Sequence, residues 1–411
     1  MGTTVDNLHF WINQMMVEKH INKYTVEISG SSSKGDGYLG EINFVRVVCE
    51  LESGEGKIYD IVVKAAKIDD DDRTSLPVIE TYQRETLMYT EVFPIIENFQ
   101  NENSIENPFK NYAECYGVCS IDRKEALLLS NLKSLGYSIH DRMVPQNLDH
   151  IKLVFRNYAL WHGSTIALRI RKPEVFERIT KDMTDIVGDF IIQTNMLPAF
   201  KKFVKKSIDI LIKRGGTDAA KKIQNIVENI STILTKMTII DDKDATNEAV
   251  ILHGDCWNNN MMFKYKGNGK LKPVDMKFLD FQCSRVASPI LDLSYYLYSV
   301  ADKVVLNKFD YILEEYHETL NGYLRQFGIN CDDILTLNRL KNSWKKYGKF
   351  GLCMSSFLIR VELSHEDEVI DFGKETANQT MTDIDIDNIK YQEEYDRRVY
   401  DVFSHFAEKF L

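Results

Sequence analysis

The stretch His253-Gly254-Asp255-Cys256-Trp257-Asn258-Asn259-Asn260, followed by Leu279-Asp280-Phe281-Gln282, constrains this chain more than any other. It reads H-x-D-x-x-x-x-N and then D-F-Q, with apolar runs on both sides. Polar side chains carried on two such loops can act together only if regular structure brackets the loops. Strand-like pieces at 250–252, 261–265 and 276–281 are predicted to do so.

These residue types suit phosphoryl transfer from a nucleotide. That reaction needs a carboxylate aimed at the acceptor hydroxyl, and a carboxylate with an amide to hold magnesium on the phosphates. Asp255 is the predicted general base, in hydrogen-bond reach of the attacking hydroxyl. Asn260 and Asp280 are the predicted magnesium ligands. Three unrelated polar loop residues would not account for the spacing. His253 is expected to stiffen the loop by hydrogen bonding, and Asn258 and Asn259 to shape it. Trp257 reads as packing, with substrate contact its minority role. Asp292, beside Ser288-Pro289 at a helix start, reads as a capping or loop-bracing carboxylate.

The first half is strand-rich. Runs at 42–51 and 58–65 are rich in β-branched residues, and Glu52-Ser53-Gly54-Glu55-Gly56 between them is a hairpin signal. A helix is predicted over 76–99, with Ile79, Tyr82, Leu87, Met88 and Val92 roughly on one face. Pro94 is expected to kink or end it. Strands near 112–120 and 126–129 would complete a small antiparallel sheet. From about residue 148 the pattern turns helical. One long helix would hold Leu153, Tyr158, Leu160, Trp161 and Ile166, with later ones at 291–301, 309–327, 337–363 and 389–411. The expected fold is α+β and two-lobed like a protein kinase. A β-rich nucleotide-binding lobe with its hinge takes 1–131, and a larger, mainly helical catalytic and substrate lobe takes 132–411.

Gly35-Asp36-Gly37-Tyr38-Leu39-Gly40 is G-x-G-x-x-G, a loop whose backbone amides can approach phosphates. Alone it is weak, since any glycine-rich turn can produce it. A dinucleotide fold needs a helix after it. Here a strand-like run follows, as in the hairpin that covers ATP in kinases. Gly35, Gly37 and Gly40 are therefore assigned to nucleotide binding. Lys64 ends the apolar run 60–64 and shares a strand face with Val62. A lysine there commonly reaches solvent, but this face can line the cleft if Gly40 lies across it, and Lys67 competes if the register shifts. Glu85 on the next helix is the predicted partner of Lys64, although an exposed helix glutamate is the commoner fate. Leu129, Ser130 and Asn131 fall where the lobes would join, and are hinge candidates for hydrogen bonds to the adenine edge.

A chain of 411 residues with 44% hydrophobic and 27% charged residues can bury a large core. Its net charge of −10 argues against a general nucleic-acid or anionic-membrane binder. The start lacks the pattern of a signal peptide, Gly2 is followed by Asp6 rather than a myristoylation serine or threonine, and no apolar run reaches a membrane span. Seven scattered cysteines read as reduced thiols, so a cytosolic enzyme is expected, with no obligate protein partner evident. Trp344, Tyr347 and Phe350 could form a cation cage of the kind that binds choline, but aromatics at helical spacing are more often core. The acceptor is expected within roughly 300–365, with Phe350, Met354 and Phe357 as candidate contacts.

HGDCWNNNMMF and KFLDFQ resemble the ecdysteroid kinase-like family, also called the CHK kinase-like or juvenile-hormone-inducible group, chiefly of insects. GDGYLG, VVK, QRETLMY, LLLSNL with Gly136 soon after, ALWHGS around Trp161 and ASPILDLSYYLY follow in the family's order and spacing. The resemblance thus spans most of the chain. It implies a fold similar to choline and aminoglycoside kinases, and ATP- and magnesium-dependent O-phosphorylation of a small hydroxylated molecule. For founding members that molecule is an ecdysteroid, and for others a plant or microbial toxin. Gln282 replaces the glycine of the protein-kinase D-F-G but fits this family, and it argues against a protein-kinase type of activation switch. Two alternatives stay open: a choline- or aminoglycoside-type kinase, and a catalytically silent hormone- or toxin-binding protein. An acceptor pocket rich in acidic groups would favour the first, and an apolar one a steroid or phenolic alcohol.

Overall fold

In the computed structural model, residues 2–31, 40–51, 54–237, 247–267, 269–370 and 383–411 are described. Gly35 and Gly37 of the glycine loop lie outside them, as do Glu52 and Ser53 of the hairpin signal.

Alternation along β2 (Gly40–Glu50) and β3 (Gly56–Ala66) gives the first sheet two faces. Val45, Val47, Tyr59, Ile61 and Val63 are buried on one face, against a helix at Gly2–Glu18. That helix supplies Leu8, Trp11, Ile12, Met15 and Met16, spaced so that one helical stripe covers the strands. Ile42, Phe44, Val62 and Lys64 belong to the opposite face and line a cleft. β1 (Lys23–Ser31), β4 (Cys115–Cys119) and β5 (Ala126–Ser130) complete an antiparallel sheet in the order β1-β2-β3-β5-β4.

The helix expected over 76–99 is not stopped by Pro94. It runs Val78–Leu87, widens into a π turn at Met88–Val92, and resumes at Phe93–Glu102. A π turn shifts the hydrogen-bond register, so a residue without an N–H fits in the first turn of the resumed helix.

Two small sheets bracket the motif loops. β6 (Tyr137–Ile139), β8 (Met261–Tyr265) and β9 (Pro273–Phe278) form one, and β7 (Val250–Ile251) with β10 (Val286–Ala287) forms the other. The strand expected at 276–281 starts and ends earlier, because the ladder stops at Met261 opposite Phe278. Asp280 then takes φ 64°, a left-handed angle that no strand continues. The remaining chain is mainly helical. The long helix Leu148–Arg171 packs on Phe309–Arg325, and Leu337–Glu362 packs on Ile290–Val300 and Gln392–Phe410. Trp344, Tyr347 and Phe350 are buried core residues, and Trp344 Nε1 donates to Tyr298 at 2.9 Å.

Candidate active site

The H-x-D loop is held from beneath by Asp292, one turn into the Ile290–Val300 helix. Its carboxylate accepts the His253 amide at 2.7 Å, the Gly254 amide at 3.0 Å and the Cys256 thiol at 2.9 Å. Burial works against this carboxylate, but His162, His253 and Cys256 outweigh it and hold Asp292 below the ordinary range. The His253 ring donates Nε2–H to the Leu279 carbonyl at 2.7 Å. Nδ1 is then unprotonated and accepts the Asp255 amide at 3.2 Å. Burial keeps this imidazole neutral. Gly254 sits at φ +90°, and a Cβ there would lie 2.1 Å from the Cys283 carbonyl oxygen. Only glycine lets the two loops meet so closely.

The loops converge on three acidic groups and one lysine. Lys64 Nζ lies 2.6 Å from Glu85 Oε2 and 2.6 Å from Asp280 Oδ1. Burial works against the ammonium, yet Asp280 and Glu85 outweigh it and hold Lys64 above the ordinary lysine range. Burial also pushes Glu85 up, against the pull of Lys64. The Glu85 side chain is 1% exposed and that of Asp280 24%, so Asp280 is the carboxylate that reaches the open cleft. Lys67 is turned away to Asp72. Gly40 is packed so closely that a Cβ would lie 2.6 Å from the Ala65 carbonyl.

The cleft, about 140 Å³, is lined by Lys64, Glu85, Leu129, Ser130, Asn131, Asn260 and Asp280. Apolar walls from Ile42, Phe44, Val62, Met262 and Leu279 complete it. Ile42, Phe44 and Val62 could have been found by extending the alternation from Lys64. Two of the expected hinge donors are engaged elsewhere: the Ser130 amide bonds to Glu114 O at 2.8 Å and the Asn131 amide to Asp60 O at 2.9 Å. The end of β5, interior to the sheet, spends them on its two neighbours in the sheet.

Asp255 lines a second cavity, of about 180 Å³, and meets the cleft only through its hydrogen bond with Asn260. Asn260 Nδ2 donates to Asp255 Oδ2 at 2.8 Å, and Tyr295 donates its O–H to Oδ1 at 2.9 Å. Burial, then the charge of Asp280, push the Asp255 carboxyl up to about 6. The walls of the second cavity are apolar: Leu76 and Pro77, Ile186, Val187 and Phe190 of the helix Ile186–Gln193, Trp257, and Phe357, Leu358 and Val361. Of the acceptor contacts expected from sequence, Trp257 and Phe357 line it and Phe350 and Met354 do not. Phe350 instead stacks behind Tyr295, ring centroids 6.1 Å apart, because that helix face turns toward Ile290–Val300. Gln282 also lines the cavity, with its side-chain oxygen buried and unpartnered among the described residues.

Arg84, next to Glu85, donates to the carbonyls of Asp182 at 3.1 Å and Thr184 at 3.2 Å, and to Ser284 O. Phe281 fits between Phe93 and Trp161, at centroid distances of 4.8 and 6.0 Å. Both contacts tie the helix that carries Glu85 to the D-F-Q loop.

Two loops and a strand lysine arranged in this way, with a β-rich and a helical part on either side, define a kinase-like phosphotransferase. The chain belongs to the ecdysteroid kinase-like family, which matches residues 34–329. It is thus a small-molecule phosphotransferase acting on hydroxyl groups. Similar solved structures include a GDP complex of a mutant aminoglycoside 2'-phosphotransferase-IIIa. It is 11% identical, with a TM-score of 0.42, covering 91% of this chain and 96% of that one. Another is the GDP and kanamycin complex of APH(2")-IIia, 11% identical with a TM-score of 0.37, covering 85% and 98%. Comparison with the curated proteins found no match. No helix among the described residues is long and apolar enough to cross a membrane, and the seven cysteines are free.

Proposed function

We propose that this chain is an ATP-dependent kinase for a hydrophobic alcohol, an ecdysteroid or a related hydroxylated hormone or xenobiotic. The observation that carries the reading is the placement of Asp255, which lines the apolar cavity and is hydrogen-bonded to Asn260, a wall residue of the cleft that holds Lys64 and Asp280. Asp255 takes the proton of the acceptor hydroxyl as that oxygen bonds to the γ-phosphorus. The bond to the β–γ bridging oxygen breaks, and ADP leaves with the electron pair. Lys64, fixed by Glu85, neutralises phosphate charge, and the sheet face around Phe44 covers the base. We place the lobe boundary at Asn131, with Gly35 and Gly37 in the phosphate lid.

The donor set fits magnesium. Asp280 and the Asn260 amide oxygen are hard ligands, and Asp255, Glu85 and Asp280 outnumber the one lysine between them. No cluster of three or more His, Cys, Asp or Glu arranged for a metal exists among the described residues. This suits an ion carried largely on phosphates. When bound it offsets charge on the transferring group.

The cavity walls favour a steroid or phenolic alcohol over choline or an amino sugar, which would need acidic walls. Gln282 adds a polar side chain to this otherwise mainly apolar lining. The test is transfer of labelled γ-phosphate from MgATP to a panel of ecdysteroids, glucosides, phenolics, choline and kanamycin. Transfer to the first three classes, lost in Asp255→Ala while calorimetry still detects MgATP binding, supports the reading. Transfer confined to choline or kanamycin overturns the acceptor, and full activity in Asp255→Ala overturns the mechanism. MgATP binding with no transfer to any acceptor favours a silent binding protein.

A further inference from the structure

The helix Ile290–Val300 meets the H-x-D loop twice. Asp292 holds the backbone of His253 and Gly254, and Tyr295, one turn further on the same face, reaches the side chain of Asp255. We propose that Tyr295 is a positioning residue: its O–H holds Asp255 Oδ1 and thereby sets which lone pair is left for the acceptor hydroxyl. This rests on the reading of Asp255 as the base.

The geometry is specific. The two Asp255 oxygens have different fixed donors, Tyr295 at 2.9 Å on Oδ1 and Asn260 at 2.8 Å on Oδ2, and the donors come from different elements. A carboxylate gripped at both oxygens cannot rotate about its terminal bond. Tyr295 itself is 5% exposed and stacked on Phe350, so it has little freedom to swing aside. It also lines the apolar cavity, which places the Tyr295–Asp255 bond at the wall an acceptor must touch. A phenylalanine would fill the same space in this apolar helix. The hydroxyl is what distinguishes tyrosine here, and a buried hydroxyl needs a partner. The other ionisable groups that bear on Asp255 are Asp280, Lys64, His253, Cys256 and Cys283. Burial keeps the last two as neutral thiols.

A double-mutant cycle on the full chain tests this without knowledge of the acceptor. Melting temperatures are measured for wild type, Tyr295→Phe, Asp255→Ala and the double variant. The expected result is a non-additivity of roughly 1–3 °C. In an active preparation, Tyr295→Phe should lower kcat about tenfold, with the KM for ATP unchanged. A role in packing alone would move neither readout. Additive melting temperatures, or an unchanged kcat, overturn the proposal. Coupling in a chain that transfers no phosphate would leave the contact standing and overturn the kinase reading. An active enzyme with an additive cycle would do the reverse.

Discussion

Lys64 Nζ sits 2.6 Å from both Glu85 Oε2 and Asp280 Oδ1. One ammonium therefore joins β3, the helix Val78–Leu87 and the D-F-Q loop. The pairing is asymmetric in use: Glu85 is sealed and can only hold the lysine, whereas Asp280 also faces the cleft. Asp280 reaches that place through a left-handed backbone angle, a strain of the kind that persists where surrounding structure demands it.

Lys64→Met should reduce turnover at least a hundredfold, since a preorganised positive charge at the phosphates is lost. It should also destabilise the fold by about 3 kcal/mol, because Glu85 is left buried without its counter-charge. Adding Glu85→Gln should restore part of the melting temperature and none of the activity. Recovery of turnover in the double variant would contradict the role given to Lys64.

The carboxyl of Asp255, pushed up to about 6 by burial and by Asp280, sets the expected pH dependence. A general base acts when ionised, so kcat/KM should fall as pH drops through about 6 and level off above about 7. Stability responds in the opposite sense. The folded-state value lies above the ordinary carboxylate value, so folding favours the protonated form. That contribution is present below pH 4 and is lost as pH rises toward 6. The melting-temperature difference between wild type and Asp255→Asn should therefore change across this window. A flat difference from pH 4 to 7 would show that Asp255 is not shifted.

Much of this site was legible because its chemistry restricts residue types. Asp255, Asn260 and Asp280 stand at spacings that few other arrangements need, and strand alternation alone puts Lys64 on the face shared with Val62. The apolar cavity was not legible, for a physical reason. Its walls come from Leu76 and Pro77, from Ile186 to Phe190, from Trp257, and from Phe357 to Val361. They come from segments far apart in sequence, and an apolar residue on any of them reads equally well as core. Phe350 and Met354 share a helix with Phe357 but not its exposure to the cavity, and only the packing of that helix separates them. Tyr295 was hidden among the apolar residues of its helix. The usable signal was its place one turn after Asp292. The π turn before Pro94 carries no signature that periodicity could reveal. The helix Gly2–Glu18 did, in its stripe of Leu8, Trp11, Ile12, Met15 and Met16.

Gly254→Ala should leave the secondary structure and the nucleotide cleft in place while impairing transfer. The added Cβ meets the Cys283 carbonyl at 2.1 Å, and φ +90° is costly for alanine. Strain of roughly 1–3 kcal/mol is expected, relieved by displacing the H-x-D loop from the D-F-Q loop. A misplacement of that size should lower kcat by about a hundredfold, with a smaller change in the dissociation constant for MgATP. Equal loss of nucleotide binding and turnover would point to general unfolding instead.

Phe190→Ala tests whether the apolar cavity is where the acceptor binds. Phe190 is only partly buried, on a short helix whose Ile186 and Val187 share the cavity wall. Truncation should therefore disturb the core little, unlike Phe357→Ala, which would break contacts with Phe200 and Phe203. The lost apolar contact should raise the KM for a hydrophobic alcohol by roughly tenfold, about 1.5 kcal/mol. The KM for ATP, set across the Asn260–Asp255 hydrogen bond in the other cavity, should stay the same. The effect should grow with the apolar area of the acceptor and vanish for a small polar alcohol. An equal rise for every acceptor, or a rise for ATP alone, would move the acceptor away from this cavity.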